Sequence, residues 1–325
     1  MAISTRSPRW RRTGARAETV PAAGTADWIA VDWGTTRLRA WALEDSGAVL
    51  DSARSDRGMA GLAPEAFEPA LLALVAPWLD PARMTPVIAC GMVGAREGWV
   101  EAPYRAVPCP PPGADAAVAA PTRDLRIAVT VLPGLSQARP ADVMRGEETQ
   151  LAGFLAADPG FDGTLCLPGT HTKWVQISAG EVVSFRTVMT GELFAALSGH
   201  TVLRHSLGAG DDRPAFLDAV AETMARPEAL TARLFSLRAE GLLWGLAPGT
   251  AGSRASGLLI GLELAGARGY WLGTRLAVIG NGPLADLYAA ALAAQGVTVE
   301  RGDADWAVLE GLKAARAVQI GGRGA

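Results

Sequence analysis

Residues 28–43 read Trp28-Ile29-Ala30-Val31-Asp32-Trp33-Gly34-Thr35-Thr36-Arg37-Leu38-Arg39-Ala40-Trp41-Ala42-Leu43. Two apolar segments of this stretch are typical of β-strands, and a tight polar turn that begins with an acid joins them. Glycine lets the backbone approach an anion closely, successive N–H groups can surround it, and threonine hydroxyls add donors. The carboxylate of Asp32 would repel bare phosphate, so this interpretation requires a hydrated Mg²⁺ between them. An ordinary hairpin turn is the alternative, because Gly, Thr and Asp are common in turns.

The composition predicts two domains and excludes several kinds of partner. A chain of 325 residues exceeds the usual size of one domain. Its net charge of -3 argues against a nucleic acid held by phosphate contacts. The best candidate for a membrane span, residues 258–272, is too short and contains Glu263 and Arg268. Three irregularly spaced cysteines are typical of a protein of the reducing cytoplasm.

Residues 1–26 differ from the rest of the chain. They are rich in arginine, and prolines and glycines interrupt them, which predicts a disordered N-terminal extension or a misassigned start codon. The pair Arg11-Arg12 resembles the start of an export signal, but no apolar segment follows it.

The order of the predicted elements repeats in the two halves. Three antiparallel strands open the first half, and alternating strands and helices follow, with helices over 64–79 and 146–157. The second half also opens with a strand, a Gly/Thr turn and two more strands, and it ends in a helix over 304–318. This order favours an internal duplication of an α/β unit, with domains over 27–160 and 161–325.

Five segments give the chain a resemblance to a known family. They are VDWGTT (31–36), GMVGAREGWVEAPY (91–104), VMRGEETQ (143–150), LPGTHTKW (167–174) and MTGELF (189–194). The first is similar to any member of the actin-like ATPase superfamily, whereas the second, fourth and fifth resemble the 2-dehydro-3-deoxygalactonokinase family of sugar-acid kinases. The resemblance implies an α/β chain of two duplicated actin-like (ribonuclease H-like) domains, with a nucleotide cleft between them and with ATP and Mg²⁺ as cofactors.

The resemblance also implies the residues that bind the cofactors. Asp32 would bind Mg²⁺ through water. The nucleotide-binding residues would be Gly34, Thr35, Thr36, Gly169, Thr170, His171, Gly280, Asn281 and Gly282. His171 stands where related carbohydrate kinases have the second glycine of Gly-Thr-Gly, so it either donates to a phosphate oxygen or packs against the turn.

A catalytic base is implied at Glu147, which follows Gly146 as the catalytic Asp of related carbohydrate kinases follows a glycine. Glu148 is the alternative base, and both acids also suit the first turn of a helix. The substrate-binding residues that the resemblance implies are Arg96, Glu97, Trp99, Tyr104, Arg145 and Glu148. Arginine is the natural bidentate partner of a sugar acid's carboxylate. The neighbouring charges are equally typical of a surface salt bridge, and the two aromatic residues of a core.

The implied activity is ATP-dependent phosphorylation of the terminal hydroxyl of 2-dehydro-3-deoxy-D-galactonate to the 6-phosphate, in galactonate breakdown in the cytoplasm. The small-molecule substrate would be the main partner, and a homodimer is also possible. One alternative is a kinase for another small sugar acid or polyol. Another is a nucleotide-driven regulatory protein like actin. A dinucleotide-dependent dehydrogenase fits less well, because no G-x-G-x-x-G follows the first strand.

Overall fold

The computed structural model describes residues 24–321. The sequence predicts an extension over residues 1–26, and residues 1–23 of it lie outside the described range. Its predicted boundary is slightly late, because Ala26 is buried and its N–H donates to the carbonyl of Trp78 at 2.8 Å. The folded part of the first unit therefore includes Ala26.

The strands form three sheets. They are β1 (Trp28–Trp33), β2 (Leu38–Leu43), β3 (Val49–Ser55), β4 (Thr85–Cys90), β5 (Tyr104–Ala106), β6 (Val118–Ala119), β7 (Ile127–Val131), β8 (Gly134–Ala138), β9 (Ala141–Met144), β10 (Gly163–Leu167), β11 (Thr172–Ser178), β12 (Glu181–Val188), β13 (Leu276–Ile279) and β14 (Val299–Gly302). The strand orders are β3-β2-β1-β4-β7-β6, β12-β11-β10-β13-β14 and β5-β8-β9.

Nine α-helices alternate with these strands in the described part of the chain, which is therefore an α/β protein. They are α1 (Phe67–Val75), α2 (Glu147–Ala157), α3 (Thr190–His200), α4 (Arg213–Ala225), α5 (Leu230–Trp244), α6 (Pro248–Gly266), α7 (Arg268–Trp271), α8 (Pro283–Ala293) and α9 (Ala304–Gly321). Short 3-10 helices cover Pro64–Ala66, Ala76–Trp78, Met92–Gly94, Ala114–Ala116, Val202–His205 and Pro227–Ala229.

The two larger sheets share one arrangement. In the first, β1 and β2 are antiparallel, as are β2 and β3, and β4 runs parallel to β1 and to β7. In the second, β10 pairs antiparallel with β11 and parallel with β13, which is parallel to β14. Both sheets are therefore mixed, with the three-stranded meander that the sequence predicts at the start of each half.

The sheet of the first unit is covered on both faces. Ile29, Val31 and Trp33 belong to the core that contains α1 residues such as Phe67. Trp28 and its alternate neighbours belong to a second cluster that contains α9 residues. Successive side chains of a strand point to opposite faces, so a strand buried on both faces is apolar throughout. This explains the unbroken apolar run at residues 28–31.

The chain divides into two compact units, and the first is discontinuous in sequence. It contains the residues up to Phe161, then Ser178–Ser184 and the residues from Asp303 onward, and the second contains Asp162–Ile177 and Phe185–Gly302. The sequence assigned 161–325 to one domain, but α9 packs against α2 and the first sheet instead. The apolar face of a helix does not encode which sheet it will cover, so this return was not predictable.

Glycines allow α2 and α9 to pack at very short distance. A Cβ on Gly311 would lie 1.9 Å from the carbonyl oxygen of Thr149, and a Cβ on Gly153 would lie 1.9 Å from that of Ala307. The two helix backbones are therefore in direct contact, and a methyl group cannot enter without separating them.

We expect Gly311→Ala to lower the free energy of unfolding by about 1–3 kcal/mol, because overpacking forces the backbones apart. Gly199 is the matched control: it lies in α3, and an added Cβ would have no atom within 4 Å. Gly199→Ala should leave stability unchanged or raise it by up to about 1 kcal/mol. Urea denaturation of both variants measures the difference, and equal stabilities would contradict the proposed close contact.

The small sheet β5-β8-β9 was not predicted. Its strands are three to five residues long, and the sequence interprets Pro133-Gly134 as a turn. Such short strands carry too little alternation to be recognised before their partners are known. No helix within residues 24–321 combines the length and apolar character that a membrane crossing requires.

Candidate functional site

The turn between β1 and β2 is held in place by the loop that follows β3. The carbonyls of Gly34 and Thr35 accept the N–H groups of Met59 at 3.0 Å and Ala60 at 2.9 Å. Gly58 permits this, since a Cβ there would lie 2.3 Å from the Thr35 carbonyl oxygen. Thr35 and Thr36 remain exposed, so their polar groups are available to a ligand.

Asp32, the next-to-last residue of β1, forms an ion pair with Arg39 of β2. The Nε of Arg39 donates to Asp32 Oδ2 at 3.1 Å, and its Nη1 pairs with Asp305 of α9. Burial lowers the pKa of Arg39, but the carboxylates of Asp32 and Asp305 outweigh it and raise this pKa above its ordinary value. The Asp32 carboxylate is thus anchored from one side and partly exposed.

Two glycines bring three chain segments together beside Asp32. Gly91, at the end of β4, has φ +95°, and a Cβ there would lie 2.7 Å from the Trp33 carbonyl oxygen. Gly146, before α2, has φ +106°, and its Cβ would lie 3.2 Å from the Gly91 Cα. Only glycine readily adopts these backbone angles. The ends of β1 and β4 and the start of α2 therefore converge.

The two acids that open α2 have different environments. Glu148 is buried, and the N–H of Gly146 donates to its two carboxyl oxygens at 2.8 and 2.7 Å. Burial, together with the charge of Glu147, raises the pKa of Glu148 to about 8. Glu147 is half-buried. At neutral pH the pair therefore consists of a protonated inner acid and a second acid nearer the solvent.

The raised pKa of Glu148 makes stability depend on pH. Glutamate in an unfolded chain has a pKa of about 4.3, so between that value and about 8 only the folded chain keeps the proton. Glu148 stabilises the fold fully below this window, and the contribution is lost as the pH rises through it.

We expect the free energy of unfolding to fall by about 1 kcal/mol per pH unit within this window because of Glu148. Urea denaturation at pH 6 and pH 8 measures the fall in the wild type and in Glu148→Gln, which has no proton to lose there. The wild type should lose its advantage over the variant at pH 8. Parallel curves for the two proteins would show that Glu148 does not titrate in this range.

Arg145 is a buried cation at the same place. Its Nη2 donates to the Ala102 carbonyl at 2.7 Å, and the ring of Tyr104 lies 4.2 Å from the guanidinium carbon. Its Nε and Nη1 have no hydrogen-bond partner among residues 24–321. A buried charged donor without a partner is costly. These two N–H groups could therefore pair with an anionic ligand.

The other predicted substrate residues differ in their placement. Arg96 and Glu97 are exposed in the loop after the 3-10 helix Met92–Gly94. Trp99 is only 8% exposed, stacks on Phe67 at 6.2 Å and donates its indole N–H to the Pro121 carbonyl at 3.2 Å. The prediction that Trp99 walls a sugar pocket is corrected here: these contacts make it a core residue.

The second Gly/Thr turn, between β10 and β11, is held by the start of α3. The N–H of Glu192 donates to the Thr170 carbonyl at 2.9 Å, and a Cβ on Gly191 would lie 2.4 Å from the Gly169 carbonyl oxygen. The side chain of His171 lies 2.7 Å from Glu192 Oε2, and both groups are about half exposed. His171 is thus oriented by Glu192, and Gly169 and Thr170 face a cavity.

A buried carboxylate supports this turn from below. Glu263 of α6 accepts Trp174 Nε1 at 2.7 Å, Tyr288 Oη at 2.6 Å and the hydroxyl of Thr190. Burial raises the pKa of Glu263, and its three donors oppose that rise. Tyr288 also contacts Thr172, the first residue of β11, at 2.9 Å. One carboxyl group therefore connects β11, α3 and α8, and the sequence contained no signal for it.

The second unit contains an open cavity of about 890 Å³, a size typical of small-molecule and cofactor sites. The predicted residues Gly169 and Thr170 line it, together with residues of α3, α6 and α8 and the segment 207–213. Gly280, Asn281 and Gly282 lie beside it in the chain, because Pro283 and Leu284 are lining residues. The sequence did not predict that residues 207–213 line this cavity. The glycines at 208 and 210 could have indicated close backbone packing there. A Cβ on Gly210 would lie 1.9 Å from the Gly249 carbonyl oxygen.

The described residues offer few side chains that could coordinate a metal ion. Residues 24–321 contain no group of three or more His, Cys, Asp or Glu side chains arranged to hold a metal ion. Mg²⁺ bound with phosphates usually needs one or two carboxylates and keeps several waters. The single, partly exposed carboxylate of Asp32 fits that mode.

Polar Gly/Thr turns and a cofactor-sized cavity on an α/β scaffold are features typical of enzymes that bind and transfer phosphoryl groups. The family model described as "2-keto-3-deoxy-galactonokinase" matches residues 32–315. A protein of Rhizobium meliloti (strain 1021), named as a probable 2-dehydro-3-deoxygalactonokinase, is 44% identical over 89% of this chain and 96% of its own length. The 2-dehydro-3-deoxygalactonokinase of Escherichia coli (strain K12) is 36% identical over 76% of this chain and 82% of its own.

A solved structure agrees with these relatives. The crystal structure described as that of "a putative 2-dehydro-3-deoxygalactonokinase protein from Sinorhizobium meliloti" has a TM-score of 0.82 and 44% identity, covering 90% of this chain and 96% of that one. The chain belongs to the 2-keto-3-deoxy-galactonokinase family.

Proposed function

We propose that the chain is an ATP-dependent kinase that phosphorylates the terminal hydroxyl of 2-dehydro-3-deoxy-D-galactonate to the 6-phosphate, in galactonate catabolism. The observation that carries the proposal is the convergence of Asp32, Glu147 and the buried Arg145 at one end of the first sheet. The names of the two curated relatives support the choice of sugar acid.

Glu147 is the proposed base that accepts the proton of the attacking hydroxyl. Glu148 is a poor candidate at neutral pH, because its carboxyl is buried and its pKa of about 8 keeps it protonated. A loose transition state for phosphoryl transfer requires the base mainly to orient the nucleophile. The half-buried position of Glu147 suits that role.

Arg145 is the proposed partner of the substrate's carboxylate. Its Nε and Nη1 lack partners within residues 24–321, and a hydrogen bond from either of them to a carboxylate oxygen would be charge-assisted. Tyr104, which lies against the guanidinium and is 42% exposed, would form the adjoining wall of the sugar pocket. Arg96 and Glu97 stay predictions as ligands of the substrate hydroxyls.

The nucleotide is assigned to the second unit's cavity and to the Gly/Thr turn of that unit, which lines it. The cavity is large enough for a nucleoside, and Gly169 and Thr170 line it. Asp32 would hold Mg²⁺ through water, and the ion would neutralise phosphate charge when bound. The nucleotide contacts of Gly34, Thr35, Thr36, His171, Gly280, Asn281 and Gly282 stay predictions.

The finer fold assignment is also a proposal: each unit is one copy of a duplicated actin-like, ribonuclease H-like domain. The shared order of a three-stranded meander followed by parallel strands supports it. The cytoplasmic location stays a prediction, and the three cysteines, which are free and buried, are compatible with it.

The test is ADP release from Mg²⁺-ATP by the purified chain, with and without 2-dehydro-3-deoxy-D-galactonate. We expect release that depends on the sugar acid and yields the 6-phosphate. Folded, ATP-binding protein that releases no ADP with this acid would overturn the substrate assignment.

Two alternatives give different results in the same assay. Faster release with the gluconate-derived epimer would point to another sugar-acid kinase, since the epimers differ by the orientation of one hydroxyl. Slow ATP hydrolysis unaffected by any sugar acid would favour a nucleotide-driven regulatory protein.

A further inference from the structure

Glu263 is a buried carboxyl group to which the proposed mechanism gives no role. It lies in α6 and accepts the indole N–H of Trp174 at 2.7 Å, the hydroxyl of Tyr288 at 2.6 Å and the hydroxyl of Thr190. Burying an acid costs free energy, and apolar side chains of similar volume often stabilise a protein equally well. Such an acid is therefore a weak source of stability, but three directed bonds fix the geometry of the groups that make them.

Two of the three donors line the cavity of the second unit. Thr190, the first residue of α3, and Tyr288 of α8 are both lining residues, whereas Glu263 is not. The carboxyl group therefore sets the positions of two side chains of the cavity wall without itself contacting a ligand there.

The start of α3 transmits this restraint to the second Gly/Thr turn. Thr190 is followed by Gly191, where a Cβ would lie 2.4 Å from the Gly169 carbonyl oxygen. The next N–H, that of Glu192, donates to the Thr170 carbonyl at 2.9 Å. Because the helix start and the turn are in direct contact, fixing the hydroxyl of Thr190 also fixes the turn from one side.

Tyr288 restrains the other end of the same turn. Its hydroxyl lies 2.9 Å from that of Thr172, the first residue of β11. A phenol has one hydrogen, and Tyr288 donates it to Glu263, so Thr172 is the donor to Tyr288. The hydrogen bonds therefore run in one direction, from Thr172 through Tyr288 to Glu263, and they require an acceptor at their end.

We propose that Glu263 is a positioning residue for nucleotide binding, which holds the second Gly/Thr turn between α3 and β11 in the conformation that receives ATP. The inference rests on the proposed function, which assigns the nucleotide to this cavity. Arg145 and Tyr104, the proposed partners of the sugar acid, belong to the first unit. Loss of the positioning should therefore weaken the binding of ATP and leave that of the sugar acid unchanged.

Isothermal titration calorimetry with Mg²⁺-ATP tests this on the full chain. Glu263→Gln keeps the size of the side chain but has one acceptor oxygen for three donors, and Tyr288→Phe removes the hydroxyl between Thr172 and Glu263. Each should raise the Kd for ATP about 5- to 50-fold, the scale of one or two lost hydrogen bonds. The double variant should bind no more weakly than the weaker single variant, because both act through one network.

Steady-state kinetics separate this positioning from a general loss of structure. In both variants the KM for ATP should rise with the Kd, while the KM for the sugar acid should change by less than about twofold. Thr164→Val is the matched control: Thr164 is buried in the second unit and donates its hydroxyl to the Tyr270 carbonyl, but it does not line the cavity. Its Kd for ATP should equal that of the wild type.

Circular dichroism checks the fold of each variant, and Tyr288→Phe decides if Glu263→Gln does not fold. An unchanged Kd in the folded variants, fully additive losses in the double variant, or an equal loss in Thr164→Val would overturn the inference and leave the proposed function standing. A wild type that binds no ATP would overturn the proposed function and this inference with it.

Discussion

Glu147→Gln should lower kcat by about 100- to 10,000-fold, the range observed when a general base is removed. The substitution keeps the size of the side chain but cannot accept a proton. The KM values for ATP and for the sugar acid should change by no more than a few fold, because the rest of the site is untouched. Steady-state ADP release at saturating substrates measures the effect.

Glu148→Gln is the matched control. Glu148 has a pKa of about 8 and is mainly protonated at pH 7, where a neutral amide resembles it closely. Its kcat at pH 7 should stay within about threefold of the wild type. If Glu148→Gln loses activity and Glu147→Gln does not, the base is Glu148.

Asp32→Asn should lower kcat by about 100- to 1,000-fold, the scale of one lost electrostatic contact at the reacting group. It should also raise the Mg²⁺ concentration needed for half-maximal activity, because the variant lacks the carboxylate assigned to the ion. A titration of activity with Mg²⁺ at fixed ATP measures both effects.

Asp305→Asn distinguishes the two roles that Asp32 can have, which are holding Mg²⁺ and holding Arg39. Both acids pair with Arg39, but Asp305 belongs to α9 and has no assigned contact with the cofactors. Its kcat should fall by no more than a few fold, with an unchanged Mg²⁺ requirement. Equal losses in the two variants would mean that Asp32 acts by holding Arg39, and the assignment of Mg²⁺ to Asp32 would fail.

The strands that open each half were predictable because their signal is local. In the structure the apolar run at 28–31 belongs to β1, and the returning strand is β2. The residues at 34–36 form the hairpin turn between them. The same holds for β10 and β11. Apolar character and turn residues are sufficient to predict such a hairpin, since its two strands are neighbours in sequence.

The details of the site depend on contacts that a sequence does not display. Glu147 and Glu148 suit a helix start equally well, and only the backbone at Gly146 turns one of them inward. From the sequence, Trp99 could line a pocket or lie in the core, and its contacts with Trp33 and Phe67 place it in the core. The Glu263 cluster joins elements almost a hundred residues apart, so no local pattern indicates it.

The return of α9 to the first sheet has a consequence for synthesis on the ribosome. Chains are made from the N-terminus, and early domains generally fold before later ones emerge. Here residues 304–321 complete the first unit, yet they follow the whole of the second. Trp28, Trp41 and the surface of α2 around Gly153 therefore remain uncovered while about 140 intervening residues are translated, which takes roughly 7–28 s at about 5–20 residues per second. A nascent chain stalled before residue 304 should therefore be a better chaperone substrate than the released protein.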